Sequence, residues 1–206
     1  MQVAGSLWSV PTAHQLPTAD RWRRGGVRRL HWDSTDGRFA AAGGFTAERA
    51  RELTTLTGMR AEAHLMVAEP VRHVDAWTDF CDVVFLHAEV EGWAEAARRI
   101  LRRGSRPGLA IALETSLDAI PPDVPVLCMS ITPGAAGSAF DPRATDRVRR
   151  LVDAGVDRAV SVDGGVTRRI LPDLSAAGAD GVVVGGDLVA EGGLERWADV
   201  LGGLVR

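Results

Sequence analysis

Short apolar runs and amphipathic stretches alternate from one end of the chain to the other. Runs such as Val83-Val84-Phe85-Leu86 and Gly181-Val182-Val183-Val184 are apolar at consecutive positions, so both faces of each segment call for burial. Parallel strands covered by helices meet that demand, whereas a sheet with one solvated face would impose alternation. The pattern predicts strands over 2–8, 28–33, 60–66, 82–88, 108–114, 124–131, 157–163 and 180–185. Between them it predicts helices over 12–24, 46–57, 70–78, 91–103, 116–120, 142–153, 167–176 and 194–204. Thr46, Asp141-Pro142 and Thr167 supply helix starts. Gly58, Gly104, Gly155 and Gly178 fall just past helical stretches, where a left-handed residue ends a helix. The fifth helix is short, because Pro121-Pro122 cuts it off.

Eight strand–helix units without a break in composition predict an α/β fold, a single (β/α)8 TIM barrel in which residues 1–206 form one domain. An open doubly wound sheet is the alternative. It would have fewer strands and a nucleotide fingerprint, and no G-x-G-x-x-G follows the first strand. A length of 206 residues suits one domain, and 46% hydrophobic content can fill its core.

Charge narrows the partners. The formal net charge is −3, which argues against a nucleic-acid-binding surface. Arg21, Arg23 and Arg24, and Arg98-Arg99 with Arg102-Arg103, read as solvated helix faces. Cys81 and Cys128 lie apart without C-x-x-C spacing, so neither a disulfide framework nor a thiolate metal site is expected. No apolar stretch approaches the roughly 20 residues of a membrane span, and no basic segment followed by an apolar run opens the chain. The expectation is a cytoplasmic protein with no membrane partner.

In such barrels the active site lies at the C-terminal ends of the strands. Polar residues that suit a strand interior badly gather there: Ser6 on the first strand, His31 and Asp33 on the second, and His64 on the third. His87 and Glu89 end the fourth, and Asp163 ends the seventh. His31 and Asp33 are two residues apart, so their side chains share one face of the strand. If that face is the barrel interior, His64 and Asp163 can complete a shell of two imidazoles and two carboxylates around a divalent cation. Zn, Fe, Mn and Co all suit those donors. Taken singly, each histidine reads better as a satisfied buried side chain; four such residues at one end of a barrel favour a site.

Gly164-Gly165 follow Asp163, and Gly185-Gly186 end the eighth strand. Loops after strands seven and eight are the usual phosphate site of these barrels, where glycine lets backbone N–H groups approach oxygen. Tight turns alone would also use glycine. Thr132-Pro133-Gly134-Ala135-Ala136-Gly137-Ser138 reads as a loop that is either a lid or phosphate wall, or an ordinary turn.

With these residues in hand the chain resembles the ribulose-phosphate 3-epimerase family over nearly its whole length. The motifs that carry the resemblance begin with Ala4-Gly5-Ser6-Leu7, His31-Trp32-Asp33-Ser34-Thr35-Asp36-Gly37-Arg38-Phe39 and Ala63-His64-Leu65-Met66-Val67 with Pro70. They continue with His87-Ala88-Glu89, Met129-Ser130-Ile131-Thr132-Pro133-Gly134, Val162-Asp163-Gly164-Gly165-Val166 and Ala177-Gly178-Ala179-Asp180 leading to Gly185. The resemblance implies one divalent metal ion held by His31, Asp33, His64 and Asp163, with Asp33 and Asp163 also moving protons at C3 of a ketose phosphate. It implies substrate contacts from Ser6, His64, Met66, Met129, Gly134, Gly137, Gly164, Gly165, Gly185 and Gly186. The implied partner is a small phosphorylated sugar, and homo-oligomerisation is common among such barrels.

Departures from the family pattern fall in the loops. Ser34-Thr35, Ala40-Ala41-Ala42, Ala112-Leu113, Ala135, Ala136, Ser138 and Gly186-Asp187 replace the usual residues. A carboxylate at Asp187 would repel a bound phosphate unless it turns away or caps the helix. The leading expectation is therefore interconversion of ribulose 5-phosphate and xylulose 5-phosphate. A hexulose 6-phosphate epimerase and a non-catalytic binding barrel are the alternatives. Related phosphosugar decarboxylases rely on an Asp-x-Lys-x-x-Asp element, and this chain has no lysine.

Overall fold

The computed structural model describes residues 1–154 and 159–202. Eight parallel strands, β1 (Gln2–Ser6), β2 (Arg29–Thr35), β3 (Arg60–Met66), β4 (Val83–His87), β5 (Arg106–Ile111), β6 (Val126–Met129), β7 (Val160–Asp163) and β8 (Gly181–Val184), form a closed barrel in sequence order. β8 pairs with β1 to close the ring. The (β/α)8 barrel expected from the hydrophobic pattern is the fold observed. Alternate strand residues divide the apolar side chains into two cores. Ala4, Phe85, Ala110, Leu127, Met129 and Val183 pack together as a small cluster, while Trp22, Leu30, Trp32, Val84, Val162 and Val184 belong to a larger one. The two clusters are the inside of the barrel and the layer under the helices, as period-two side-chain alternation requires.

The helical layer consists of α1 (Gln15–Arg24), α2 (Ala47–Thr57), α3 (Asp75–Thr78), α4 (Trp93–Arg102), α5 (Arg143–Asp153), α6 (Leu171–Ala176), α7 (Gly186–Val189), α8 (Gly193–Arg196) and α9 (Ala198–Gly202). α2 starts and stops where expected: the Thr46 hydroxyl accepts from the Arg49 N–H, and Gly58 takes a left-handed φ of 65°. Other boundaries move for local reasons. The stretch 12–24 opens with a 3-10 turn, Thr12–His14, and 70–78 divides into a 3-10 turn, Pro70–Arg72, and α3. α5 begins at Arg143, with the Asp141 carboxylate accepting its N–H, so Pro142 sits at the cap and not inside the first turn. α6 begins at Leu171 with Pro172 in its first turn, four residues later than Thr167 suggests.

The stretch 116–120 forms only the 3-10 turn Leu117–Ala119. β5 ends at Ile111 because the Ala112 N–H donates to the Glu89 carboxylate and leaves the strand ladder. The single helix expected over 194–204 is two short helices that meet at Trp197. α7 was not anticipated at all. Gly155, the start of the seventh strand at 157–158, and residues 203–204 lie outside the described residues.

Arg21, Arg23 and Arg24 are exposed, as a solvated face requires, and Arg99 and Arg103 pair with Asp75 and Asp79 on the neighbouring helix. Both cysteines are buried and free, and burial pushes their thiols up, Cys128 to about 11. Among the described residues no helix is long and apolar enough to cross a membrane. Trp22 is completely enclosed under α1 and is among the largest buried side chains. Trp22→Ala is expected to destabilise the barrel by about 3–5 kcal/mol, read as a lowered urea midpoint with the unfolding slope unchanged.

Candidate metal centre and active site

The barrel register assembles the site. Pairing of β2 with β3 sets Asp33 beside His64 and His31 beside Glu62, and pairing of β6 with β7 sets Met129 beside Asp163. His31, Asp33, His64 and Asp163 each offer one ligand atom, and these atoms all lie within 4.8 Å of one another. His31 Nε2 stands 3.3 Å from Asp33 Oδ1 and 3.8 Å from Asp163 Oδ2. His64 Nδ1 stands 3.1 Å from Asp33 Oδ1 and 3.7 Å from Asp163 Oδ2. Both imidazoles are wholly buried, and His31 Nε2 has no hydrogen-bond partner. A buried polar atom without a partner is costly unless something else satisfies it. Two imidazole nitrogens and two carboxylates converging on one point fit a divalent cation of the Zn, Fe, Mn or Co type.

Burial and mutual charge drive the two carboxyl groups apart. Burial would raise Asp33, but the charge of His31, 3.3 Å away, and that of His64 outweigh it and hold Asp33 well below the usual carboxylate range. Asp163 has no such compensation. Burial, reinforced by the negative charge of Asp33, pushes it up to about 7. Burial would depress His31, yet Asp33, Glu62 and Asp163 together raise it well above its ordinary value. One ionised and one protonated carboxyl at a shared site is the arrangement that separates a base from an acid. The Ser6 hydroxyl donates to Asp33 Oδ2 at 3.1 Å, so the serine singled out in the sequence touches the proton-moving carboxylate.

The sequence reading did not assign Glu62 or Arg29. Glu62 Oε1 lies 2.8 Å from His31 Nδ1, and its other oxygen accepts from Arg29 at 2.8 Å. The available signal was the alternation Arg60-Ala61-Glu62-Ala63-His64, which puts a carboxylate on the inward face one step below a candidate ligand. His87 and Glu89 received no role either. His87 Nε2 lies 2.9 Å from His64 Nε2, and its Nδ1 lies 2.9 Å from Glu89. Burial lowers His87 to about 4. Burial would raise Glu89, but hydrogen bonds from His87, Thr115 and the Ala112 N–H draw it down to about 2.

A cavity of about 310 Å³ opens above the four donors. Ser6, Met66, Met129, Gly134, Gly137, Gly164, Gly165, Gly185 and Gly186 all line it, with Asp33 and Asp163 at its floor. His64, expected to touch substrate, lies behind that wall, fully buried against Asp33 and His87. Asp187 resolves the conflict its charge raised. Its carboxylate accepts from the Arg168 N–H at 2.8 Å, from Trp197 Nε1 at 2.8 Å and from Arg196 at 3.1 Å. Arg168 is itself paired with Asp199 at 2.6 Å and supplies no charge to the cavity.

The loop after β2 folds back so that the Phe45 N–H donates to the Asp33 carbonyl at 2.8 Å. Gly44 precedes that contact with φ +76°, and a Cβ there would stand 2.2 Å from the Asp33 carbonyl oxygen. Gly44→Ala is expected to push this loop off β2 and disturb Asp33. The check is kcat/KM, which should fall by at least about tenfold, a loss of roughly 1.4 kcal/mol in transition-state stabilisation. Far-UV circular dichroism should not change.

The Ribulose-phosphate 3 epimerase family model matches residues 2–189. The chain belongs to that family. A relative named "Ribulose-phosphate 3-epimerase, cytoplasmic isoform" from Oryza sativa subsp. japonica is 29% identical, covering 91% of this chain and 86% of its own length. A ribulose-phosphate 3-epimerase from Methanocaldococcus jannaschii is 30% identical, covering 89% of this chain and 82% of its own length. These family members are isomerases by name, and the present chain is accordingly a family epimerase. Among solved structures, 3-hexulose-6-phosphate synthase from Salmonella typhimurium has a TM-score of 0.69 at 15% identity, covering 98% of this chain and 99% of that one. At that identity the likeness concerns the fold alone.

Proposed function

We propose that this epimerase interconverts ribulose 5-phosphate and xylulose 5-phosphate in the cytoplasm, with residues 1–206 acting as one domain. The observation that carries the reading is the meeting of Asp33 from β2 and Asp163 from β7 at one buried four-donor cluster. Inversion at C3 needs a base on one face of a planar enediolate and an acid on the other. Asp33, held as a carboxylate, takes the C3 proton from one epimer. Asp163 gives one to the opposite face, and the roles exchange in the reverse direction.

His31, Asp33, His64 and Asp163 would hold the divalent ion. When bound, the ion supplies positive charge that offsets the negative charge developing on substrate oxygens. Ser6 keeps Asp33 oriented through its hydrogen bond. Met66 and Met129 wall the reacting end against water, and the backbone N–H groups at Gly164-Gly165 and Gly185-Gly186 take the phosphate. The cavity side of the loop after β6 is lined by Gly134, Ala136, Gly137, Ser138 and Ala139. Such small residues leave room for one more carbon, so a hexulose 6-phosphate is the second reading.

The test is proton exchange at C3 in deuterated water with protein loaded with Co²⁺ or Zn²⁺. Exchange with ribulose 5-phosphate, accompanied by formation of xylulose 5-phosphate, is the expected result. Exchange with a hexulose 6-phosphate alone would transfer the assignment to the longer sugar. No exchange with either would leave a binding barrel.

A further inference from the structure

Each of the two histidines in the donor cluster has its second nitrogen tied, directly or through one intermediary, to a buried or half-buried carboxylate. An ionised carboxylate only accepts hydrogen bonds. Glu62 Oε1 lies 2.8 Å from His31 Nδ1, so that nitrogen carries the proton. Glu62 is kept ionised: burial opposes this, but His31 and Arg29 hold it below its ordinary range. Its other oxygen is engaged by Arg29, which fixes the carboxylate in the barrel interior.

The second chain is longer. Glu89 Oε2 lies 2.9 Å from His87 Nδ1, so His87 is protonated on Nδ1. A neutral His87 then has a bare Nε2, and His64 Nε2, 2.9 Å away, must be the donor between them. His64 Nδ1 is left bare toward Asp33 Oδ1 at 3.1 Å. Reversing the chain would set two acceptors, His87 Nδ1 and Glu89, face to face. Two protons serve three contacts in a neutral chain, and in this order the contact left without one is that between His64 Nδ1 and Asp33, where a cation would take the lone pair.

We infer that Glu62 and the His87–Glu89 pair are positioning residues, which fix the tautomers of His31 and His64 so that His31 Nε2 and His64 Nδ1 turn their lone pairs into the donor cluster. This rests on the metal-binding reading above. The arrangement follows a general rule: a metal-binding imidazole has its remote N–H taken by a carboxylate or another acceptor, which sets the tautomer and the ring orientation. The carboxylates are themselves held by Arg29 at Glu62 and the Ala112 N–H at Glu89, which only donate, and by the donating Thr115 hydroxyl at Glu89.

Those donors make amide substitutions informative. In Glu62→Gln, Arg29 claims the amide oxygen, so the amide NH2 faces His31 Nδ1 and forces the proton onto Nε2. In Glu89→Gln, Ala112 and Thr115 claim the oxygen. The NH2 then faces His87 Nδ1, moves that proton to His87 Nε2, and in turn forces His64 to carry its proton on Nδ1. Both substitutions preserve size and remove the carboxylate's charge together with the direction of the hydrogen bond.

The experiment uses the full chain with 15N-labelled histidine and two-bond proton–nitrogen correlation, metal-free and Zn²⁺-loaded, together with Co²⁺ affinity by competition. The expected wild-type result in the Zn²⁺-loaded protein is a proton on Nδ1 of His31 and His87 and on Nε2 of His64, and metal-free His31 carries a second proton on Nε2. Each variant is expected to reverse its own chain and weaken Co²⁺ binding by about 10–100-fold, with the metal-free melting temperature little changed. Glu89→Gln should move the His64 signal although the two residues do not touch, which a merely structural role would not do. A wild-type His87 protonated on Nε2, or variants that bind Co²⁺ within twofold of wild type, would overturn the inference. Wild-type protein that binds neither Zn²⁺ nor Co²⁺ would instead remove the metal reading, and the metal-free correlation spectrum would still decide the tautomers. If a variant does not fold, the wild-type spectrum alone decides.

Discussion

Asp163→Asn is expected to lower kcat for C3 epimerisation by about 10²–10⁴-fold, the usual contribution of a positioned general acid or base. The amide keeps the size of the side chain but can neither give up nor take the C3 proton. In a two-carboxylate inversion each epimer loses its proton to a different residue. Assayed with saturating Co²⁺ to offset the lost ligand, the variant should therefore stop net inversion, while Asp33 still exchanges the C3 proton of one epimer into deuterated water. Equal loss of exchange from both epimers would count against the division of roles. The same substitution has a stability signature of its own. Asp163 ionises near 7 in the metal-free folded protein, above its ordinary value of 3.8. Its contribution to stability is complete below the ordinary value and is lost as pH rises through about 7. Metal-free Asp163→Asn should thus gain on the wild type in urea unfolding between pH 5 and 8, even as activity collapses.

Removal of divalent ions is the second large effect. Chelation is expected to abolish epimerisation, and return of Co²⁺ or Zn²⁺ at a thousandfold excess over its dissociation constant should add about 4 kcal/mol of stability. Affinity should also depend on pH in a fixed direction. The metal-free cluster keeps protons on Asp163 up to about 7 and on His31 beyond its ordinary range, and ligand atoms must shed protons to bind. Each displaced proton weakens binding by about tenfold per pH unit below its pKa, so affinity rises from pH 6 to pH 8. Titration calorimetry in two buffers of different ionisation enthalpy measures both the affinity and the number of protons released. A flat profile would mean that the cation binds elsewhere.

The barrel was legible in the sequence because its strands are apolar on both faces and its helices carry local caps, as Thr46 and Gly58 do for α2. The four donors were legible because His31 and Asp33 share a strand face and every candidate fell at a strand end. What could not be read depended on partners far away along the chain. Glu62 looks like a polar residue in an alternating strand until its pairing with β2 sets it beside His31. The direction of Asp187 is decided by Arg168, Arg196 and Trp197, and no local pattern announces those contacts. The same bond to Trp197 accompanies the break between α8 and α9, where the sequence offers one continuous amphipathic run. The end of β5 is set by Glu89 on another loop.

Among the described residues the lining of the cavity contains no arginine, and its acidic residues are Asp33, Asp163 and Asp187, the last turned to Arg196. An anionic sugar phosphate approaching Asp33 meets repulsion that the neutral backbone N–H groups only partly offset. Positive charge has to be in place first, which makes cation loading and sugar binding a coupled pair. Linkage is reciprocal, so the factor by which the cation tightens the sugar phosphate is also the factor by which the sugar phosphate retains the cation. A cavity lined without arginine would thus give an enzyme that holds a bound cation most firmly while it is at work.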